Sequence, residues 1–90
     1  MGMKHASHSD IIAKLKQAQG QIGSIIAMMT EGRSCMELAQ QLQAAESIVH
    51  QAKRTLIQDH MEHCISDAAS EGGKAAREAL AEFKTLSKYL

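Results

Sequence analysis

The segment from Ser34 to Ser66, SCMELAQQLQAAESIVHQAKRTLIQDHMEHCIS, contains neither glycine nor proline. Its apolar residues Leu38, Leu42, Ala45, Val49, Ala52 and Leu56 recur at alternating steps of three and four, with Cys35 ahead of the series and His60 and Cys64 continuing it. That period belongs to a helix with a coiled-coil-like seam, and it predicts one long central helix over residues 34–66. His60 stands 25 residues beyond Cys35, about 37 Å at helical rise. A straight subunit cannot bring the three side chains to one point. A second copy packed antiparallel, with a two-fold axis near Ile48 and Val49, sets Cys35 of one chain level with the His60–Cys64 turn of the other and creates two identical sites between subunits.

The flanking sequence supplies shorter helices. Residues 10–30 carry an apolar stripe of Ile11, Leu15, Ala18, Ile22, Ile25, Ile26 and Met29, interrupted by Gly20 and Gly23, for which close helix contact is the expected compensation. Glu31-Gly32-Arg33 ends that helix. Ser34 and Glu37 form an S-x-x-E capping box that makes Cys35 the first residue of helix 2. There the thiol meets the positive end of the helix dipole, a setting that favours metal binding or nucleophilic reaction. Residues 66–73 read as a small, polar connection, and residues 74–89 as a third helix, with Ala76, Ala79, Leu80, Phe83, Leu86 and Leu90 able to cover the bundle. Residues 1–9 form a polar arm in which Met1-Gly2 ahead of Met3 is compatible with an added dipeptide.

Composition agrees with helices. Phe83 and Tyr89 are the only aromatics, and alanine, isoleucine, leucine and methionine make up most of the apolar content. At 90 residues the chain is one domain with a modest core, which association would enlarge. The expected fold is all-α: a three-helix subunit with a long central helix, forming an antiparallel dimer with a four-helix bundle and a dimer-of-dimers tetramer. With no apolar signal region and no run of about 20 apolar residues, a cytoplasmic location without membrane insertion is expected. Formal net charge is zero, so nucleic-acid binding requires local clustering of the Lys and Arg residues in an oligomer.

His60 and Cys64, four apart, share one helix face and can chelate one ion. Alone, such a pair is also ordinary apolar-face packing; the helix-start cysteine at a matched distance favours the ligand reading. Thiolate and imidazole suit Cu(I), Zn(II), Ni(II) or Co(II) and not Mg or Ca. His63 is an alternative to His60, one residue off the seam. His5, ahead of His8, is the candidate fourth ligand from the arm. Met28, Met29, Met36 and Met61 at helical spacing read as core filler rather than thioether ligands. There is no paired-carboxylate motif, nucleophile elbow, phosphate loop or H-E-x-x-H, and the expectation is no enzyme and no organic small-molecule substrate.

Taken together, Gln19-Gly20-Gln21, Cys35 followed by Ala39-Gln40-Gln41-Leu42, and Asp59-His60 with Cys64 four later resemble the small all-helical metal-sensing repressors of the copper-sensitive operon repressor and nickel/cobalt efflux repressor type (CsoR/RcnR). The likeness spans most of the chain. It implies an antiparallel dimer pairing into a tetramer, with the cysteine from one subunit and the His-x-x-x-Cys pair from its neighbour. It also implies operator DNA held on basic faces without a helix-turn-helix and released when metal binds, derepressing efflux genes. By position Lys14 matches a basic site of helix 1, with Lys16, Lys53 and Arg54 as companions; Gln17 departs from the Lys or Arg of relatives. Cys-His-Cys alone resembles the Cu(I) branch, and an added N-terminal histidine the Ni(II) and Co(II) branch. The latter is slightly favoured, with Zn(II) also open. Ser34 departs from the tyrosine of some copper members, and the absence of proline argues against the formaldehyde-sensing branch. Two other functions stay open: an oxidant or persulfide sensor using Cys35 and Cys64, and a metal-binding accessory without a DNA role, suggested by the zero net charge.

Overall fold

Gly32, at φ 76°, turns the chain between its first two helices, a left-handed conformation that costs glycine little. It ends α1, His8–Thr30, with a Schellman arrangement in which Arg33 N–H donates to Met28 O at 3.0 Å and Gly32 N–H to Met29 O at 3.1 Å. Ser34 then caps α2, Cys35–Glu71: its Oγ accepts from Glu37 N–H at 3.2 Å. Glu37 reaches back to Ser34 in return, as the capping box requires. Its carboxylate takes the Ser34 hydroxyl at 3.2 Å and the Arg33 guanidinium at 2.5 Å. These bonds, Arg33 foremost, hold the Glu37 carboxyl below its ordinary range. The last elements are α3, Gly73–Leu86, and a single 3-10 turn, Ser87–Tyr89. This computed structural model describes residues 8–90, and for residues 67–71 the backbone alone. The expected all-α subunit with three helices and a long central one is thus observed.

Several boundaries differ from expectation. α1 starts at His8, inside the expected arm. α2 runs to Glu71 instead of stopping at residue 66, because Asp67, Ala68, Ala69, Ser70 and Glu71 contain no breaker; Gly72, at φ 95°, is where the helix stops. The third helix gives way at Ser87, whose Oγ bonds to Lys84 O at 2.8 Å and draws the backbone into the tighter turn.

Two compact units divide the chain, one up to Ala52 and one from Lys53 to Leu90, with the division inside α2. In the first, α1 and the start of α2 form an antiparallel hairpin. Lys14 Nζ donates to Gln51 Oε1 at 3.2 Å, and Gln21 Nε2 reaches Gln41 Oε1 at 3.3 Å, so positions that rise along one helix fall along the other. The hairpin closes on a seven-residue repeat of Ile11, Ala18 and Ile25 in α1 and Ala45 and Ala52 in α2, all buried. Small side chains on α2 let the helices approach.

The helix 2 seam read from the sequence therefore divides. Ala45 and Ala52 are buried, whereas Leu42, Val49 and Leu56 are about half exposed in the subunit, at 53%, 44% and 45%. On α1, Ile12, Leu15, Ile22, Ile26 and Met29 are exposed as well. Met29 and Met36 do not act as core filler within the subunit; each is open to solvent. Nor does close intrachain contact account for Gly20 and Gly23, since a Cβ at either position meets nothing within 4 Å. Among the described residues no helix is long and apolar enough to cross a membrane.

Candidate metal centre

The second unit returns the chain on itself. Gly72 alone separates α2 from α3, and its carbonyl receives the first bond of the new helix from Ala76 N–H at 3.0 Å. α3 thereby brings Ala79, Glu82, Phe83 and Leu86 to a cavity of about 10 Å³ whose α2 wall is His60, Met61, Cys64 and Ile65. That volume holds one water-sized sphere. Its lining is mostly apolar, with three polar groups converging on it.

Those groups are in mutual contact. His60 Nε2 lies 2.5 Å from Glu82 Oε1, Cys64 Sγ lies 3.4 Å from His60 Nε2, and the Cys64 thiol donates to Glu82 Oε2 at 3.5 Å. Hydrogen bonding from His60 is the main reason the Glu82 carboxyl sits below its ordinary range, with Cys64 adding to it and partial burial opposing it. One potential donor atom from each residue falls within 4.8 Å of the others. The sulfur-to-nitrogen and sulfur-to-oxygen separations approach the edges of about 3.5 Å expected for a tetrahedral ion with bonds of about 2.0–2.3 Å. Nitrogen, sulfur and oxygen together form a donor set for a transition metal.

His63 is occupied elsewhere. Its Nδ1 lies 2.8 Å from Asp59 O and 3.6 Å from Asp59 Oδ1, one turn back on the same helix. The structure thus brings His60, and not His63, to Cys64. Cys35, in the first unit, is an exposed free thiol at the first turn of α2 and does not belong to the cluster. His5 lies outside the described residues. Lys16, Lys53 and Arg54 are exposed, whereas Lys14 is half-buried and bonded to Gln51.

Sequence reasoning missed Glu82. A signal existed: Ala79, Glu82, Phe83 and Leu86 are spaced as one helical face, so the acid stands in an otherwise apolar stripe, where an unpaired carboxylate is unfavourable.

Comparison with known proteins identifies relatives over most of the chain. A model of the family described as metal-sensitive transcriptional repressor matches residues 7–88. The copper-sensing transcriptional repressor RicR of Mycobacterium tuberculosis is 32% identical over 69 residues, 77% of this chain and 72% of that protein. The copper-sensing transcriptional repressor CsoR of Bacillus subtilis is 31% identical over 80 residues, 87% and 79% of the two chains. Among solved structures, the nickel-responsive transcriptional regulator InrS superposes with a TM-score of 0.85 at 28% identity, covering 100% of both chains. The matched length, the helical architecture and the His60–Cys64–Glu82 cluster lead to one conclusion: the chain belongs to the CsoR/RcnR family of metal-sensing transcriptional repressors.

Proposed function

We propose that this repressor binds operator DNA without metal and releases it on binding Ni(II) or Co(II), with Cu(I) as the alternative ion, at a site completed between two subunits. His60 and Cys64 of one chain and Cys35 of its partner are the proposed ligands, with His5 as a fourth; release then derepresses efflux genes. The observation that carries this reading is the 3.4 Å approach of His60 Nε2 to Cys64 Sγ, a preformed pair on one turn with a carboxylate beside it. When bound, the ion supplies a positive centre that draws ligands of two chains together.

Assembly is supported by the apolar face left open on the first unit. Ile12, Leu15, Ile22 and Val49 line one groove there, and an antiparallel dimer that pairs into a tetramer covers such a face. Preference for a divalent ion is supported by Glu82, because carboxylate oxygen is a poor match for soft Cu(I); Zn(II) fits the same donors. Lys14, Lys16, Lys53 and Arg54 are the proposed DNA contacts.

The decisive substitution is Cys35→Ala, with Ni(II) titrated into fully reduced, oxygen-free protein. Wild-type protein is expected to develop a thiolate-to-metal absorption band saturating at about one ion per subunit and to leave promoter DNA as it saturates. The C35A protein should hold DNA and fail to let go. Metal-induced release by C35A would remove Cys35 from the switch. A cysteine-only sensor, by contrast, would keep responding to oxidant after His60→Ala.

A further inference from the structure

α3 has a second face, opposite the metal cluster. Lys74, Arg77 and Lys84 fall at steps of three and seven, which places them within roughly 80° of arc on a helix turning about 100° per residue, and Lys88 follows in the 3-10 turn Ser87–Tyr89. The centre of that arc lies about 170° from the face formed by Ala79, Glu82, Phe83 and Leu86. All four cations are exposed, and among the described residues none of them makes an ion pair. A chain of zero formal charge therefore carries four of its ten Lys and Arg residues on one short helix and the turn that follows it. Of the two acids on α3, Glu82 points to His60 and Cys64.

We infer that this outward stripe, Lys74, Arg77 and Lys84 of α3 with Lys88 of the turn after it, is a second contact surface for the phosphate backbone of duplex DNA. The inference rests on the reading of the chain as an operator-binding repressor and adds a surface to Lys14, Lys16, Lys53 and Arg54. The stripe extends about 20 Å, too long for one small anion and suited to a polymer of regularly spaced charges. A protein partner is disfavoured because Ala81 is the apolar residue within the stripe, and protein interfaces centre on larger apolar or aromatic anchors. A lipid surface is the less favoured partner because membrane-lying helices insert the apolar face opposite their cations, and on α3 Ala79, Phe83 and Leu86 of that face line the cavity against α2, which leaves only Leu80 and part of Phe83 to insert. DNA contact on one side of α3 and the cluster's carboxylate on the other would give one rigid element a part in both.

The test replaces all four cations together by glutamine in the full-length, metal-free protein. Binding to a duplex spanning the promoter of its own operon is followed by fluorescence anisotropy from about 50 to 200 mM salt, the range over which phosphate contacts weaken strongly. The expected result is a tenfold or greater loss of affinity and a shallower log–log salt slope, by about 0.9 for each lost phosphate contact. Helix content and Ni(II) stoichiometry should be unchanged, and a version with Lys74, Lys84 and Lys88 replaced by arginine should bind like wild type. Wild-type affinity and slope in the glutamine variant would overturn the α3 surface while leaving Lys14 and its companions in place. That result with lost binding to an acidic protein or anionic vesicles would assign the stripe to that partner instead. Wild-type protein that ignores the duplex would overturn the operator-binding reading itself, and this inference with it.

Discussion

The two halves of the chain use the same kind of element for opposite ends. In the hairpin up to Ala52, buried Ile11, Ala18, Ile25, Ala45 and Ala52 close the helix pair, with Lys14–Gln51 and Gln21–Gln41 bonding beside them, and a second set of apolar side chains is left outside. In the unit from Lys53 onward, the polar groups His60, Cys64 and Glu82 converge among apolar neighbours, while cations and the apolar side chains of Ile65 and Leu80 are left outside. A helix with one apolar stripe can only be covered; a helix with two can close a subunit and join it to another. On the proposed reading the first half joins subunits and lends Cys35, and the second holds the preformed His60–Cys64 pair.

That contrast can be broken at its strongest point by comparing His60→Ala with His63→Ala. Loss of His60 is expected to lower metal affinity by more than the roughly 10- to 100-fold that removing an outer partner costs, while H63A, whose ring bonds to its own helix, stays within about threefold of wild type on the same scale. Equal losses from both, measured by competition with a chromophoric chelator, would refute the separation of roles. Next in size is Val49→Glu, a charge on the exposed apolar stripe. Sedimentation should show assembly weakened by several kcal/mol, on the order of the penalty for burying an unpaired charge, with helix content retained; an unchanged oligomer would place the interface elsewhere.

Smaller effects sharpen the picture of the joint between the helices. Ser34→Ala removes the α2 cap and should cost about 1 kcal/mol in denaturant unfolding, without altering the His60–Cys64–Glu82 cluster. The smallest concerns pH. Because the Glu37 carboxyl is held down by Arg33 and Ser34, its stabilising contribution is present above the unfolded value of about 4.3 and is lost as pH falls through its lowered folded value. Glu37→Gln should therefore flatten the acid limb of the stability profile, and an unchanged limb would show that solvent screens the Arg33 contact completely.

Much of this was legible before any coordinates. Gly32 as a stop, Ser34 as a cap and the His60–Cys64 step of four are local signals, decided within a turn or two of chain. The end of α2 was less legible, since Ser66, Asp67, Ala68 and Ser70 suit a helix or a loop and only Gly72 forces the issue. The double stripe was hidden for a different reason. Leu42 and Ala45 both satisfy a coiled-coil period, and the period alone does not say which partner each faces. Glu82 required knowing that α3 folds back on α2, a tertiary fact that only an acid out of place in an apolar row foreshadowed.

The one-residue join at Gly72 has a kinetic side. A carboxylate tethered so closely to the helix bearing His60 and Cys64 is present at a high effective concentration wherever the protein is found, however dilute the cell keeps it. A ligand lent by another subunit has no such guarantee, because its availability follows mass action. With Cys35 lent across subunits as proposed, metal binding that uses it should depend on how many copies of the repressor the cell makes, whereas the contact of Glu82 with His60 and Cys64 should not.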